Sequence, residues 1–261
     1  MAGHREKRNK VGLSVVMTAL NEEGNILAAM ADALSAFRDF NITGEIIVVD
    51  DGSTDRTGSI VKDMVGKDVR VRMISHNNPK GVGASFWDGV DMAKGEVVTW
   101  LPGDNENDSR EILRYYRLLE HVDIVIPFVF NKEVRSAFRN TISSIYRLLV
   151  NAIFSVNFNY TNGTILYRSS ILRELEHRSE GFFFQTDILV TTTKKGYLFA
   201  EVPYRLGLRK DGESNAISFV SVVQVLKECL QLLKHHYFKK GSTTGIHFSE
   251  GTITAKRRKQ N

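Results

Sequence analysis

The sequence has little of what marks a disulfide-rich, fibrous or membrane-spanning protein. Its one cysteine, Cys229, excludes an intramolecular disulfide, and a helical setting favours a core or interface position for it over a nucleophile. There are only four prolines in 261 residues. No run reaches the roughly eighteen apolar residues of a membrane-spanning helix. With 42% hydrophobic and 25% charged residues, we expect a globular protein of one large domain or two small ones in a reducing compartment.

Positive charge is concentrated at the two ends of the chain, which has a formal net charge of +5. The ends read MAGHREKRNK and AKRRKQN, and they are interpreted as solvated tails that also suit anionic phospholipid headgroups. No basic, aromatic-rich groove or zinc spacing indicates a nucleic-acid partner. No apolar stretch precedes Val11, so we expect no secretory signal. The expected location is cytoplasmic, with peripheral contact to the cytoplasmic face of a membrane as a further option.

Strand-like and helix-like segments alternate as far as Leu101, which predicts an α/β fold: a mostly parallel sheet with helices on both faces. Two of these strands end in carboxylates, in EIIVVDDGSTDRT from Glu45 and in WLPGDNEND from Trp100. Parallel strands carry their ligands at their carboxyl ends, so this pattern indicates a site for a metal-bound nucleotide diphosphate. An ordinary β-α turn is the alternative for the first stretch. The turn TALNEEGN lacks the G-x-G-x-x-G loop of a nicotinamide-dependent oxidoreductase.

The second half of the chain is less regular. A strand around residues 122–130 is expected to be broken by Pro127. Residues 135–154 form a long amphipathic segment, for which core burial is favoured over membrane contact. The predicted organisation is a basic tail (1–10), a catalytic domain (11–216), an amphipathic helix (217–240) that contacts a membrane, the domain or a second subunit, and a disordered basic tail (241–261).

Six motifs, in this order and spacing, resemble glycosyltransferase family 2. They are VVMTALNEEGNI, VVDDGSTDRT, KGVGASFWDGVDMAKGEVV, LPGDNE, EVPYR and RKDGESN. The resemblance covers about residues 13–215 and is nearest to the dolichyl- and polyprenyl-phosphate sugar synthases. It implies the GT-A fold, a nucleotide-sugar donor, inversion at the anomeric carbon, and Mg²⁺ or Mn²⁺ as cofactor.

The resemblance also implies a nucleotide site at the ends of the early strands. The matching residues are Ala19, Asn21, Glu22, Asp50, Asp51, Lys80, Gly81 and Gly103. Asp51 matches the carboxylate that recognises the base, while Asp50 orients the loop or only makes the turn. Asn21 is also a candidate cap for the next helix. Thr18 and Leu20 replace the proline and aromatic residue usual in the family, so contacts to the base can differ.

The family's Asp-x-Asp metal motif is incomplete in this chain. Pro102-Gly103-Asp104 occupies its place, so the resemblance implies that Asp104 holds the cation with help from diphosphate oxygens and water. Glu106 is a candidate ligand of the metal or of the acceptor. Asp108 is predicted to cap the following helix rather than to bind metal.

For the acceptor, the resemblance implies that Arg139 and Arg209 lie near the diphosphate or the acceptor phosphate. An arginine common in the family after the mid-domain strand is replaced here by Val129. Asp187 matches a carboxylate that faces the sugar or acceptor. With Asp104 and Arg209 it completes the predicted catalytic set.

The favoured acceptor is a polyprenyl phosphate, which is already ionised at neutral pH and needs no general base. A saccharide hydroxyl needs a base, for which Asp187 and Glu106 are candidates. A non-catalytic protein that only binds a nucleotide sugar remains a third hypothesis. A homo-oligomer is compatible with all three functional hypotheses.

Overall fold

A seven-stranded sheet forms the centre of the protein in the computed structural model, which describes residues 11–134, 137–206 and 247–260. The strands are β1 (Leu13–Ala19), β2 (Gly44–Asp50), β3 (Val71–Ser75), β4 (Val97–Trp100), β5 (Ile124–Val129), β6 (Leu166–Arg168) and β7 (Phe199–Tyr204). Their order across the sheet is β3-β2-β1-β4-β6-β5-β7. Of these seven, β6 alone runs antiparallel to its neighbours. The predicted mostly parallel sheet is therefore confirmed.

Helices cover both faces of this sheet, as the alternating sequence pattern predicts. They are α1 (Ile26–Asp39), α2 (Thr57–Lys67), α3 (Val82–Met92), α4 (Ser109–Leu113), α5 (Ala137–Phe154), α6 (Ser169–Arg173), α7 (Phe184–Lys195) and α8 (Ile253–Gln260). Short 3₁₀ helices lie at Tyr116–Glu120 and Lys132–Val134. No helix within the described ranges is long and apolar enough to cross a membrane.

The central strand β1 is buried on both faces, which is why it is an almost continuous apolar run. Successive side chains of a strand point to opposite faces. Val15 and Met17 accordingly pack into the core under α1, whereas Val16 packs into the core under α3 and α7. The two cores hold the sheet between its helices, and the carboxyl ends of β1, β2 and β4 lie side by side.

Pro127 does not break β5, contrary to the prediction. Ile124 N donates to Leu198 O and Phe130 N donates to Tyr204 O, so the amides of even-numbered residues face β7. The backbone nitrogen of Pro127 therefore points to the side of β6, but β6 pairs with β5 only at Ile124 and Val125. A missing N–H at Pro127 costs no ladder hydrogen bond.

The amphipathic helix α5 is only partly buried, so the predicted burial of its whole apolar face is wrong. Val150 and Phe154 pack against α7. Ile145, Leu148 and Leu149 instead remain about half exposed, at 53%, 59% and 49%. The apolar face of α5 is wider than the surface that α7 offers to it. We call these three outward side chains the α5 stripe.

Residues 253–260 form helix α8, where the sequence predicts a disordered tail. The reason lies far away in the chain, at Asp123, which is fully buried. Its carboxylate accepts hydrogen bonds from Ile253 N at 2.6 Å and Thr254 N at 3.0 Å. The start of α8 is thus capped by a carboxylate from another element. The predicted tail 1–10 and helix 217–240 lie outside the described residues.

Candidate active site

The carboxyl ends of β1, β2 and β4 meet at one point, as the two acidic strand ends predict. Asp51 N donates to Ala19 O at 2.8 Å, and Gly103 N donates to Thr18 O at 2.9 Å. A Cβ added to Gly103 would lie 3.1 Å from the Ala19 Cβ and 2.8 Å from the Ile26 side chain. Close packing therefore requires glycine here. The candidate nucleotide residues of three strands are brought together.

Asp51 anchors the loop that follows β3. Its Oδ1 accepts from Lys80 N at 2.9 Å and its Oδ2 accepts from Gly81 N at 2.9 Å. The Nδ1 of His76 lies 2.7 Å from Oδ1. Burial by itself raises the pKa of Asp51, but the hydrogen bonds from Lys80, His76 and Gly81 outweigh it and hold the pKa below its ordinary value. Asp51 is therefore an ionised carboxylate that ties two strand ends together.

His76 and Asp88 extend this anchor, and the sequence analysis missed both. The Nε2 of His76 lies 2.8 Å from Asp88 Oδ2, which also accepts from Lys80 Nζ at 2.9 Å. The imidazole of His76 thus bridges the carboxylates of Asp51 and Asp88. Burial raises the pKa of Asp88, yet the bonds from Lys80 and His76 lower it overall. One signal for His76 was available: it directly follows a strand, as Asp51 does.

Asn21 and Glu22 hold the first loop to the second one. Asn21 N donates to Ser53 Oγ at 2.9 Å, and its Oδ1 accepts from Thr54 N at 2.8 Å. Glu22 N donates to Thr57 Oγ1 at 2.7 Å. Asn21 has a φ of 56°, and α1 begins only at Ile26, so the predicted cap role of Asn21 is wrong. Its amide oxygen is used to shape the loop.

Asp50 shapes the turn after β2, one of the two roles expected for it. Its Oδ1 accepts from Ser53 N at 3.0 Å. A Cβ on Gly58 would lie 2.7 Å from Asp50 Oδ2, so α2 packs directly on this carboxylate. Asp50 therefore supports the loop that Asn21 contacts.

The loop after β4 presents Asp104 and Glu106. Asp104 is half-buried and its Oδ1 accepts from Glu106 N at 3.0 Å, which fixes the carboxylate in a tight turn. Asp108 accepts from Arg110 N at 2.8 Å and caps α4, as predicted. No group of three or more His, Cys, Asp or Glu that could hold a metal occurs among the described residues. The donor set fits a cation held largely by phosphate oxygens, and does not fit one held by protein alone.

A second loop, from Ser179 to Phe183, covers the start of α3. A Cβ on Gly83 would lie 2.5 Å from the carbonyl carbon of Glu180, and Ala84 N donates to Glu180 O at 3.1 Å. Trp87 Nε1 donates to Ser179 O at 3.1 Å. The small residues of KGVGAS thus leave room for the backbone of this second loop.

Asp187 is buried in the first turn of α7, with 2% of its surface exposed. Its Oδ2 lies 2.8 Å from the Nδ1 of His177, whose side chain is 39% exposed. Sequence comparison with the family places Asp187 toward the sugar or acceptor, whereas the structure places His177 against this carboxylate. Direct contact between Asp187 and a substrate remains a prediction.

A polar cleft lies between α5, the end of β5 and the loop before β6. It is lined by Val129 from β5, by Asn140, Ser143, Ser144 and Arg147 from α5, and by Asn159 and Tyr160 from the loop. We call it the α5 cleft. Arg209 and the side chain of Arg139, both predicted to bind phosphate, lie outside the described part of the chain.

A model of one protein family, described as glycosyl transferase family 2, matches residues 14–176, more than half of the chain. This chain belongs to glycosyltransferase family 2. The match contains the ends of β1, β2 and β4, with Asp50, Asp51 and Asp104. The resemblance seen in the sequence motifs is thereby confirmed.

The names of two curated relatives of this family 2 chain contain a polyprenyl phosphate. The chain is 26% identical over 182 residues to dodecaprenyl-phosphate galacturonate synthase from Rhizobium johnstonii, covering 68% of this chain and 54% of that protein. It is 25% identical over 223 residues to undecaprenyl-phosphate 4-deoxy-4-formamido-L-arabinose transferase from Edwardsiella ictaluri, covering 84% and 67%. The chain thus spans about half to two-thirds of the length of these relatives.

Among solved structures, glucosyl-3-phosphoglycerate synthase from Mycobacterium tuberculosis has a similar fold, with a TM-score of 0.66 and 21% identity. The match covers 85% of this chain and 78% of that one. That protein was crystallised with Mn²⁺, uridine diphosphate and phosphoglyceric acid, and in another crystal with Mg²⁺ and uridine diphosphate. The similarity supports the GT-A fold expected for the family.

Proposed function

We propose that this protein is an inverting glycosyltransferase that moves a sugar from a nucleoside-diphosphate sugar to a polyprenyl phosphate. The observation that carries the choice of acceptor is the α5 stripe. Exposed apolar side chains on an amphipathic helix suit the surface of a membrane, where a polyprenyl phosphate resides. The names of both polyprenyl-phosphate relatives support the same acceptor class.

The donor half of the site has two parts. We assign recognition of the base to Asp51, whose carboxylate is fixed by backbone and imidazole contacts. Asp104 and Glu106, which share one tight turn, would provide the carboxylates that hold Mg²⁺ or Mn²⁺. When bound, such a cation would neutralise charge that develops on the leaving diphosphate.

The transfer is a single displacement. An oxygen of the acceptor phosphate attacks the anomeric carbon, the bond from that carbon to the β-phosphate oxygen breaks, and the nucleoside diphosphate leaves. An ionised phosphate needs positioning and no general base. Arg139 and Arg209 remain candidates for the acceptor phosphate, and we place the working protein at the cytoplasmic face of a membrane.

A transfer assay tests the proposal. The protein is incubated with labelled UDP-, GDP- or dTDP-sugars, Mn²⁺ and a short polyprenyl phosphate, and the label is followed into the organic phase. We expect metal-dependent labelled lipid that is abolished by Asp104→Ala, while Asp108→Ala, which removes only a helix cap, retains transfer.

Other outcomes separate the alternatives. Nucleotide release without labelled lipid would overturn the lipid-phosphate acceptor and favour a saccharide hydroxyl. Donor binding without turnover on any acceptor would favour a non-catalytic nucleotide-sugar-binding protein.

A further inference from the structure

Arg147 is a half-buried arginine that lines the α5 cleft. Among the residues that the structure describes, it forms no salt bridge. A partly buried guanidinium without an acidic partner keeps its donors available for an anion. We propose that Arg147 binds the phosphate of the acceptor, a role that rests on the proposed function.

The side chains around Arg147 fit a phosphate group. Ser143 and Ser144 lie four and three residues before it on α5, and therefore on the same face of the helix. With Tyr160 across the cleft they bring three hydroxyl groups, each able to donate to a phosphate oxygen. A guanidinium beside hydroxyl donors is a typical arrangement for a tetrahedral anion, because its planar fork donates two bonds to one phosphate.

Glu201 is an acidic residue that contacts the wall of the α5 cleft through Asn159. Glu201 accepts from Asn159 N at 2.7 Å and from Asn159 Nδ2 at 2.9 Å. These bonds hold Asn159 at the cleft wall and occupy both carboxylate oxygens of Glu201. Glu201 forms no salt bridge with Arg147 in the described part of the chain, so the guanidinium keeps its capacity for an external anion.

The position of the cleft relative to Asp104 suits an acceptor. β4 and β5 run in the same direction, both antiparallel to β6 between them, so their carboxyl ends lie at the same edge of the sheet. Neighbouring strands are about 4.8 Å apart, so β5 lies about 10 Å from β4 across the sheet. Trp100 at the end of β4 is level with Ile126, and β5 continues to Val129. At about 3.3 Å per residue, the two strand ends are therefore about 14 Å apart. This spacing leaves room for a sugar between the donor diphosphate near Asp104 and a phosphate at Arg147.

Helix α5 also favours a lipid as the source of that phosphate. The α5 stripe lies on a different face of the helix from Arg147, with Leu148 as the nearest stripe residue in sequence. If the stripe rests on a membrane, the α5 cleft lies at the depth of the headgroups. A soluble phosphate compound would use the same guanidinium without needing the stripe.

Arg147→Gln tests this assignment, with Arg117→Gln as the matched control. Arg117 is exposed and lies before β5, at the opposite edge of the sheet, and its replacement changes the net charge equally. In the transfer assay, we expect Arg147→Gln to raise the KM for the polyprenyl phosphate about tenfold to hundredfold, without changing the KM for the donor. Arg147→Lys should restore only part of the loss, because lysine cannot form the fork. Arg117→Gln should alter neither constant.

A binding measurement keeps this test separate from that of the proposed function. Titration with a water-soluble isoprenyl phosphate, followed by ³¹P NMR, needs no turnover, and inorganic phosphate serves as the tail-free probe. Weaker binding of both probes to Arg147→Gln supports the phosphate site even if no transfer to lipid is found. If the wild type binds the isoprenyl phosphate more tightly than inorganic phosphate, a lipid is identified as the source of the bound phosphate. Equal binding of both probes to the wild type and to Arg147→Gln would overturn the proposal.

Discussion

Replacing Asp51 by asparagine tests whether this carboxylate anchors the loop after β3. Asparagine keeps one oxygen for the donors at His76 and Lys80, but its NH₂ then faces the N–H of Gly81. One charge-assisted hydrogen bond is lost and a buried donor meets another donor. A hydrogen bond to a charged group contributes about 1.5–3 kcal/mol, so we expect Asp51→Asn to lower the free energy of unfolding by about 2–3 kcal/mol. Urea denaturation monitored by circular dichroism measures this loss.

Asp50→Asn is the matched control for this experiment. Asp50 is as buried as Asp51, at 6% against 5% exposure, but its carboxylate accepts one backbone hydrogen bond, from Ser53. Its asparagine can retain that acceptor, so the expected loss is about 1 kcal/mol or less. An equal loss in both variants would refute the argument, since burial of the carboxylates would then matter more than the number of bonds they accept.

The pH dependence gives a second check on Asp51. Its pKa in the folded protein lies below the ordinary value of 3.8. Its stabilising contribution is therefore fully present above the ordinary pKa and is lost as the pH falls through the lowered one. The difference in unfolding free energy between wild type and Asp51→Asn should be constant from about pH 7 to pH 5, and should shrink below about pH 4. A difference that stays constant into strong acid would contradict this assignment.

Two other substitutions test the packing of the site and of α5. Gly83→Ala places a Cβ 2.5 Å from the backbone of Glu180, so we expect it to lower the free energy of unfolding by about 1–3 kcal/mol. The control Gly66→Ala has open space around the new Cβ and should raise the free energy of unfolding by about 0.5–1 kcal/mol. Thermal denaturation measures both changes. Leu148→Glu should weaken binding to anionic vesicles roughly tenfold in flotation assays. The control Val69→Glu changes a 97% exposed residue outside α5 and should leave vesicle binding unchanged. Equal effects of the two variants would argue against a specific membrane face.

Most of the fold could be predicted from the sequence because the strongest sequence patterns are local. Buried parallel strands are continuous apolar runs, and the carboxylates that follow them must meet at one edge of the sheet. This logic placed Asp51 beside Ala19 and Gly103 correctly. It failed for Asn21, whose amide serves a neighbouring loop about thirty residues away and not the helix that follows it. The partner of a polar side chain is a property of the fold and leaves no local mark.

Contacts between distant elements account for the other differences. His76 stands 25 residues after Asp51 and 12 before Asp88, so no spacing rule connects the three. Likewise, helix α8 gains its cap from Asp123, about 130 residues earlier. The width of the apolar face of α5 was visible in the sequence, but how much of it α7 would cover was not.

The sequence by itself determined the family, the order of the strands and helices along the chain, and the edge of the sheet that carries the site. Its apolar periodicity and strand-end carboxylates specify these features without knowledge of distant contacts. Only the tertiary structure decided which donors fix Asp51, that Asp187 is buried against His177, and that Arg147 faces a polar cleft while the α5 stripe faces outward. Each of these depends on how elements far apart in the chain pack together, and packing decides which side chains lose water and which find partners.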